Sequence, residues 1–283
     1  SIKVVSIVGP TASGKTKLSV ELAKHFNGEI VSADSMQIYS GMQIATAKPT
    51  KAEMDGVPHH MMGFLPPDKT YSVASYVNDA SKCIADIHSR GMLPFIVGGT
   101  GLYVDSLLNN ISFSDDKRDE EYCLRLRKIG EEDGTDRLLD MLSEFDPESA
   151  QRLRGGRNIK RIIRAIEFYK TTGKTITEQI KESHNIPSPY SAVKLGLNCR
   201  DRQVLYDRIN RRVDIMLDEG LLEEAQRVIN SELSYTSVKA IGYKELIPYF
   251  NGSKSLNDCV EKLKMETRRY AKRQITWFKR DTE

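Results

Sequence analysis

Eight consecutive residues, Gly9, Pro10, Thr11, Ala12, Ser13, Gly14, Lys15 and Thr16, match the full phosphate-binding loop pattern. Glycine lets such a loop fold back so that backbone N–H groups point inward at phosphate oxygens. A helix opening behind it adds partial positive charge, Lys15 adds a full one, and the Thr16 hydroxyl is a ligand for Mg²⁺. The pattern does not name a substrate. An ATP-driven enzyme usually also carries a strand ending on an Asp that orders Mg²⁺ and water. The strand-like run 92–97 instead meets Gly98, Gly99, Thr100 and Gly101, none of them acidic. The strand-end acid near the loop is Asp34, after the run 29–32. A carboxylate there is a proton acceptor or only the cap of the following segment. The polar groups of Ser35 and Gln37 beside it favour a site.

Periodicity places these groups together. Val4, Val5, Ile7 and Val8 predict a short buried strand, and Leu18, Leu22 and Phe26, recurring every fourth residue, predict an amphipathic helix. A second strand at 29–32, a helix at 76–90 and a third strand at 92–97 follow. Strands alternating with helices imply parallel pairing and right-handed crossovers, so the expected fold is α/β, a P-loop NTPase-like parallel sheet. Ligands of such sheets sit outside the carboxyl ends of the strands, which puts Asp34 and Thr100 at the same crevice as the loop. From residue 113 the strand signals stop, and helical periodicity runs to about 190 with breaks at Asp146-Pro147 and Thr172-Gly173. The run 193–197 predicts one more core strand before helices resume. The expected organisation is a core of 1–112 plus 191–283 and a mostly helical insertion domain, 113–190.

Composition is that of a soluble globular chain, 283 residues with 39% hydrophobic and 29% charged. Four cysteines far apart in sequence give no disulfide framework or zinc spacing, which fits a reducing, cytoplasmic setting. No apolar run approaches the ~20 residues of a membrane span. The first strand begins almost at residue 1, so no targeting segment is expected. Net charge is only +3, yet it is segregated: residues 113–146 carry twelve acidic and six basic side chains, 152–170 seven basic and one acidic, and 261–280 eight basic and two acidic. Two basic segments in a nearly neutral chain suggest a polyanion held at more than one point, or else merely solvated helix faces. In the first, Arg157, Lys160, Arg161 and Arg164 share one helical stripe, with Ile159, Ile162, Ile163 and Ile166 on the apolar one. In the second, Arg268, Lys272 and Lys279 form one row and Arg269, Arg273 and Arg280 the row beside it. Arg208 and Arg212 lie four apart on another helix face.

The stretches 9–16, 32–39 and 98–103, with 161–167, 240–245 and 267–278, resemble the tRNA dimethylallyltransferase (isopentenyltransferase) family, from about residue 4 to 280. The resemblance implies transfer of a dimethylallyl group from its diphosphate to N6 of adenine 37, beside the anticodon of tRNA, with diphosphate released and Mg²⁺ present. It makes Asp34 the base and puts Thr100 near the diphosphate and the adenine. Ser35, Met36 and Gln37 would lie on the target nucleotides, and Arg212 would be a second diphosphate contact, the alternative for it being an ordinary helix salt bridge. Arg157, Asn158, Ile159, Lys160 and Arg161 are expected to touch the anticodon stem-loop. The chain ends soon after the last matching block, as expected of the bacterial type, and a monomer is expected.

Two other readings are compatible with a phosphate loop. A small-molecule or nucleotide kinase would use ATP and need an acceptor hydroxyl near Asp34; the absent acid after 92–97 and the two cationic stripes weigh against it. A non-catalytic RNA-binding module would not need Lys15, Thr16 and Asp34 intact. His59-His60 lacks a third ligand for a metal, and Trp277 is expected to be a packing residue.

Overall fold

A computed structural model of the chain describes residues 1–111, 119–156, 158–184, 186–234 and 236–280. The chain divides into two compact units, Ser1–Leu108 with Pro189–Glu283, and Asn109–Ser188. The first begins with β1 (Ile2–Val8), α1 (Lys15–His25), β2 (Gly28–Ser32), α2 (Lys51–Met54), β3 (His59–His60), α3 (Val73–Ser89), β4 (Leu93–Gly98) and α4 (Gly101–Leu108). The second unit holds α5 (Glu120–Glu132), α6 (Thr135–Ser143), α7 (Pro147–Arg154), α8 (Ile159–Thr172) and α9 (Ile176–His184). The first then resumes with β5 (Tyr190–Gly196), α10 (Arg202–Asp218), α11 (Leu221–Ile229), α12 (Ile247–Phe250) and α13 (Leu256–Phe278).

The five strands form one parallel sheet in the order β3-β2-β4-β1-β5. Side chains of a strand alternate between faces, and the sheet uses both. Val4 and Val8 of β1 join Val31 and Ile96 under α3 and α4, whereas Ile7 joins Ile30, Phe95 and Val97 under α1. Ser72 caps α3 by accepting from the Ser75 N–H at 3.0 Å, and its buried stripe Tyr76, Ala80, Ile84 and Ile87 follows the helical period. A second core gathers Ile38, Tyr39 and Met42 with Val213, Leu221 and Leu263 of α10, α11 and α13.

Two expectations are corrected. The buried face of α1 is Ser19, Val20 and Ala23, while Leu18 and Leu22 are only half-buried. Phe26 lies beyond the helix and is 54% exposed. Small side chains let a helix approach a sheet closely, so the buried line runs one residue round from the apolar one. The strand expected at 193–197 is β5, but it is an edge strand rather than a core one. It pairs with β1 alone among the described residues, and Val193 is 60% exposed. An apolar run records that a strand forms, not which strands flank it.

The helical unit has its own core of Cys123, Leu126, Leu138, Leu142, Ile162 and Ile166. Its breaks are made by local chemistry: Asp146 caps α7 through the Ser149 N–H at 3.0 Å with Pro147 in the first turn, and Gly173 ends α8 at φ 72°. The boundary expected at 112–113 falls outside the described residues. Among the described residues, none of the four cysteines is in a disulfide. Among the described residues, no helix is long and apolar enough to cross a membrane.

Candidate active site

A cavity of about 1090 Å³ opens at the carboxyl ends of β1 and β2, lined among others by Lys15, Thr16, Asp34, Gln37, Arg212 and Tyr270. Its floor is the phosphate loop. Gly9 ends β1 with so little room that a Cβ would stand 2.5 Å from the Leu197 carbonyl oxygen, and Gly14 enters α1 at φ 93°, a conformation that favours glycine. Lys15 folds back over the loop, its Nζ donating to the Gly9 and Pro10 carbonyls at 2.9 and 2.7 Å. Desolvation lowers its pKa to about 8, with Asp34 opposing the shift and Arg212 adding to it. Among the described residues the buried Ser13 hydroxyl has no hydrogen-bond partner.

Strand pairing brings Asp34 and Thr100 together. The β2–β4 ladder continues past both strand ends, with the Ala33 N–H donating to Val97 O at 2.8 Å and the Thr100 N–H to Ala33 O at 3.1 Å. Asp34 Oδ1 then accepts from the Met36 and Gln37 N–H groups at 2.9 and 3.3 Å. Among the described residues Oδ2 accepts no hydrogen bond, so Asp34 caps the following turn with one oxygen and keeps the other open. Burial pushes its pKa up, against those two N–H groups, Lys15 and Arg212. Thr100 reaches the site through Ser35: its Oγ1 accepts from the Ser35 N–H at 3.0 Å. Met36 and Gln37 also line the cavity. The Gln37 amide is engaged, Nε2 donating to the Thr46 and Ala47 carbonyls at 3.2 Å each and Oε1 accepting from the Ser32 hydroxyl at 3.3 Å.

Arg208 and Arg212 both line the cavity from α10. Neither makes an ion pair among the described residues. Burial pushes the Arg212 guanidinium down, while Glu53 and Asp34 pull it back. The second basic segment is less uniform than its spacing suggests. Arg268 is half-buried and donates to Asn210 Oδ1 at 2.6 Å, and Arg269 pairs with Glu266 at 2.8 Å, while Lys272 and Lys279 are exposed. Trp277 packs against Gly101 and donates from Nε1 to Asp105 at 2.7 Å.

In the helical unit, Asn158 caps α8 by accepting from the Arg161 N–H at 3.3 Å, and Ile159 packs on the core beside Gly130. Lys160 and Arg161 are exposed, and Arg157 lies outside the described residues. Arg164 is not a free member of the cationic stripe: it pairs with the fully buried Glu167 and lies over the Phe168 ring at 5.5 Å. Of the histidines, His60 Nε2 meets Glu29 Oε2 at 2.6 Å.

Sequence reasoning missed Gln274. Its Oε1 accepts from the Thr11 N–H at 2.9 Å and its Nε2 donates to Gly99 O at 3.1 Å, so one buried amide ties the phosphate loop to the end of β4. The one uncharged amide in the basic run 268–280 was the available signal. Tyr270, one turn earlier, also lines the cavity, and burial pushes its phenol up, against the side chains of Thr100 and Gln274.

Among protein-family models, residues 37–281 match the one described as IPP transferase, and residues 2–62 the one described as isopentenyl transferase. The chain belongs to the IPP transferase family. It is 49% identical over 278 residues to the tRNA dimethylallyltransferase of Halalkalibacterium halodurans, covering 98% of this chain and 88% of that one. To the enzyme of the same name from Caldanaerobacter subterraneus it is 50% identical, over 99% of this chain and 89% of the relative. The crystal structure of the full-length tRNA isopentenylpyrophosphate transferase from Bacillus halodurans superposes with a TM-score of 0.71 at 46% identity, over 100% of this chain and 88% of that chain. A eukaryotic dimethylallyltransferase captured acting on tRNA gives 0.81 at 32% identity, over 98% and 70%. In this IPP transferase, then, the loop, Asp34 and Arg212 share one cavity, and the cationic start of α8 belongs to the other unit.

Proposed function

We propose that the protein transfers a dimethylallyl group from dimethylallyl diphosphate to N6 of adenine 37 in the anticodon stem-loop of tRNA, releasing diphosphate. The observation that carries this reading is the open Oδ2 of Asp34, in one cavity with Lys15, Thr16 and Arg212. The amine nitrogen bonds to the allylic carbon as the carbon–oxygen bond breaks, and the diphosphate departs with the bonding pair. The amine proton passes to Asp34 Oδ2. A carboxylate whose affinity for protons is raised by burial is a better acceptor than a solvated one. Lys15, Arg212 and the loop amides meet the charge that develops on the leaving oxygens. The target adenine must leave its stack to reach Oδ2, and Ser35, Met36 and Gln37 form the surface it meets.

The oxygens beside the loop suit a hard cation: Thr16 lines the cavity, and among the described residues the buried Ser13 hydroxyl has no hydrogen-bond partner. Thr16, with the diphosphate oxygens of the substrate, would hold Mg²⁺, which neutralises leaving-group charge. Lys160 and Arg161 would contact RNA phosphates and so position it without reading sequence.

The test is incubation with radiolabelled dimethylallyl diphosphate, or with ATP, in the presence and absence of total tRNA. Label entering RNA from the prenyl donor alone is expected. Transfer of the γ-phosphate of ATP to a small acceptor, with no label in RNA, would overturn the reading in favour of a kinase.

A further inference from the structure

Residues 43–48 form an irregular strap that lines the cavity without belonging to any helix or strand. Such a segment has no ladder to satisfy its backbone N–H groups. Here three successive ones, of Gln43, Ile44 and Ala45, donate to the carboxylate of Glu224 on α11, at 2.9, 2.8 and 3.0 Å. Glu224 is 3% exposed, and its Oε1 also accepts from the Tyr243 hydroxyl at 2.9 Å. Consecutive amides wrapped around one anion are the device by which loops cradle phosphate. In this strap the anion is internal, and its removal would leave three amides facing a buried void. Gly242 presses from another side, since a Cβ there would stand 2.7 Å from the Ala45 Cβ.

The strap in turn fixes the floor beside the base. Its Thr46 and Ala47 carbonyls hold the Gln37 amide, and the Gln37 N–H donates to Asp34 Oδ1. A continuous hydrogen-bonded path thus runs from Glu224 through the strap and Gln37 to Asp34. The phosphate loop is braced separately, by Lys15 on its own carbonyls and by Gln274.

We infer that Glu224 is a positioning residue for the RNA side of the reaction: it sets the strap and Gln37 where the target nucleotides dock and has no part in holding the diphosphate. This rests on the prenyl-transfer reading above. Glu224→Gln tests it, because both carboxylate oxygens accept backbone N–H groups, so whichever way the amide turns its NH₂ faces a donor. The shape is kept while the cradle is broken. Steady-state kinetics should show a raised KM for tRNA and a lowered kcat, kcat/KM for tRNA falling by up to about 10²-fold as misplacement of reacting groups does. The KM for dimethylallyl diphosphate should stay at the wild-type value. Tyr243→Phe, which removes one bond to Glu224 and spares the backbone cradle, should shift tRNA KM in the same direction by less, and it carries the test if the Gln variant does not fold. A wild-type tRNA KM in the folded variants, or equal losses for both substrates, would overturn the inference. Wild-type protein that prenylates no RNA would instead overturn the function on which it rests.

Discussion

Asp34 divides its two oxygens between structure and chemistry. Because Oδ1 accepts from Met36 and Gln37, an amide can replace the carboxylate without undoing the turn. Asp34→Asn should therefore fold and bind both substrates while losing the proton acceptor, and kcat should fall by ~10²–10⁴, the usual range for a general base. Single-turnover rates at saturating tRNA and donor isolate the chemical step; a near-normal rate would remove Asp34 from the mechanism. Lys15 gives a pH signature on the donor side. Its pKa is lowered to about 8, so the free enzyme loses this charge as pH rises through that value rather than near 10.5. The kcat/KM for dimethylallyl diphosphate, which reports the free enzyme, should accordingly decline above about pH 8. Lys15→Arg keeps its charge throughout, and its profile should lack that decline. The linkage sign is opposite: between about 8 and 10.5 the unfolded chain binds the proton that the folded one has released, so this group's contribution to folding stability rises with pH.

At the scale of elements, the site depends on how closely β2 and β4 run together at their ends. A Cβ on Gly98 would stand 2.2 Å from Ala33 O and 2.8 Å from Ala33 Cα, both backbone atoms that no rotamer change can move. Gly98→Ala should cost ~1–3 kcal/mol, the range for overpacking, and should depress kcat as well, because Asp34 is the next residue after Ala33. Gly155 serves as the control. It has a helical φ of −68° and nothing within 4 Å of a Cβ, so Gly155→Ala should not lower stability. Urea unfolding of the two variants beside the parent checks both; equal stability of Gly98→Ala would mean that the strand ends can part at no cost. The last helix likewise divides its faces, with Gln274 turned to the phosphate loop while Lys272 and Lys279 stay in solvent.

Across the whole molecule, a net charge of +3 conceals two basic segments, one in each unit. Their side chains do not all serve the same purpose. Arg161 is exposed, whereas Arg164 neutralises the buried Glu167. Arg161→Ala should weaken tRNA binding and reduce the slope of log affinity against log salt by up to ~1, the share of a single neutralised phosphate, with thermal stability unchanged. Arg164→Ala should leave the slope nearly intact and destabilise the helical unit by ~1–3 kcal/mol, since the buried Glu167 loses its cation while keeping the Asp119 N–H. The effect stays in that low range because Arg164 is 37% exposed and its pairing is screened by solvent. Binding isotherms at several salt concentrations, with thermal melts, separate the two; an equal fall in slope would return Arg164 to the RNA surface.

What the sequence determined alone is whatever depends on neighbours a few residues apart. The phosphate loop between a strand and a helix, the alternation that implies a parallel sheet, the breaks at Asp146-Pro147 and Gly173 and the family motifs are all of this kind, since local geometry and local hydrogen bonds enforce them. Tertiary structure decided what depends on distant partners. It placed β5 at the sheet edge, turned Ser19 and Ala23 of α1 rather than Phe26 to the core, and withdrew Arg164 and Arg268 from the cationic faces. It also recruited Gln274 and Glu224, whose bonds to Thr11 and Gln43 span 263 and 181 residues. Period and spacing show that a side chain is buried or polar. Which backbone amide it will meet is set by the order in which the strands pair and the helices pack, and no local pattern records that order.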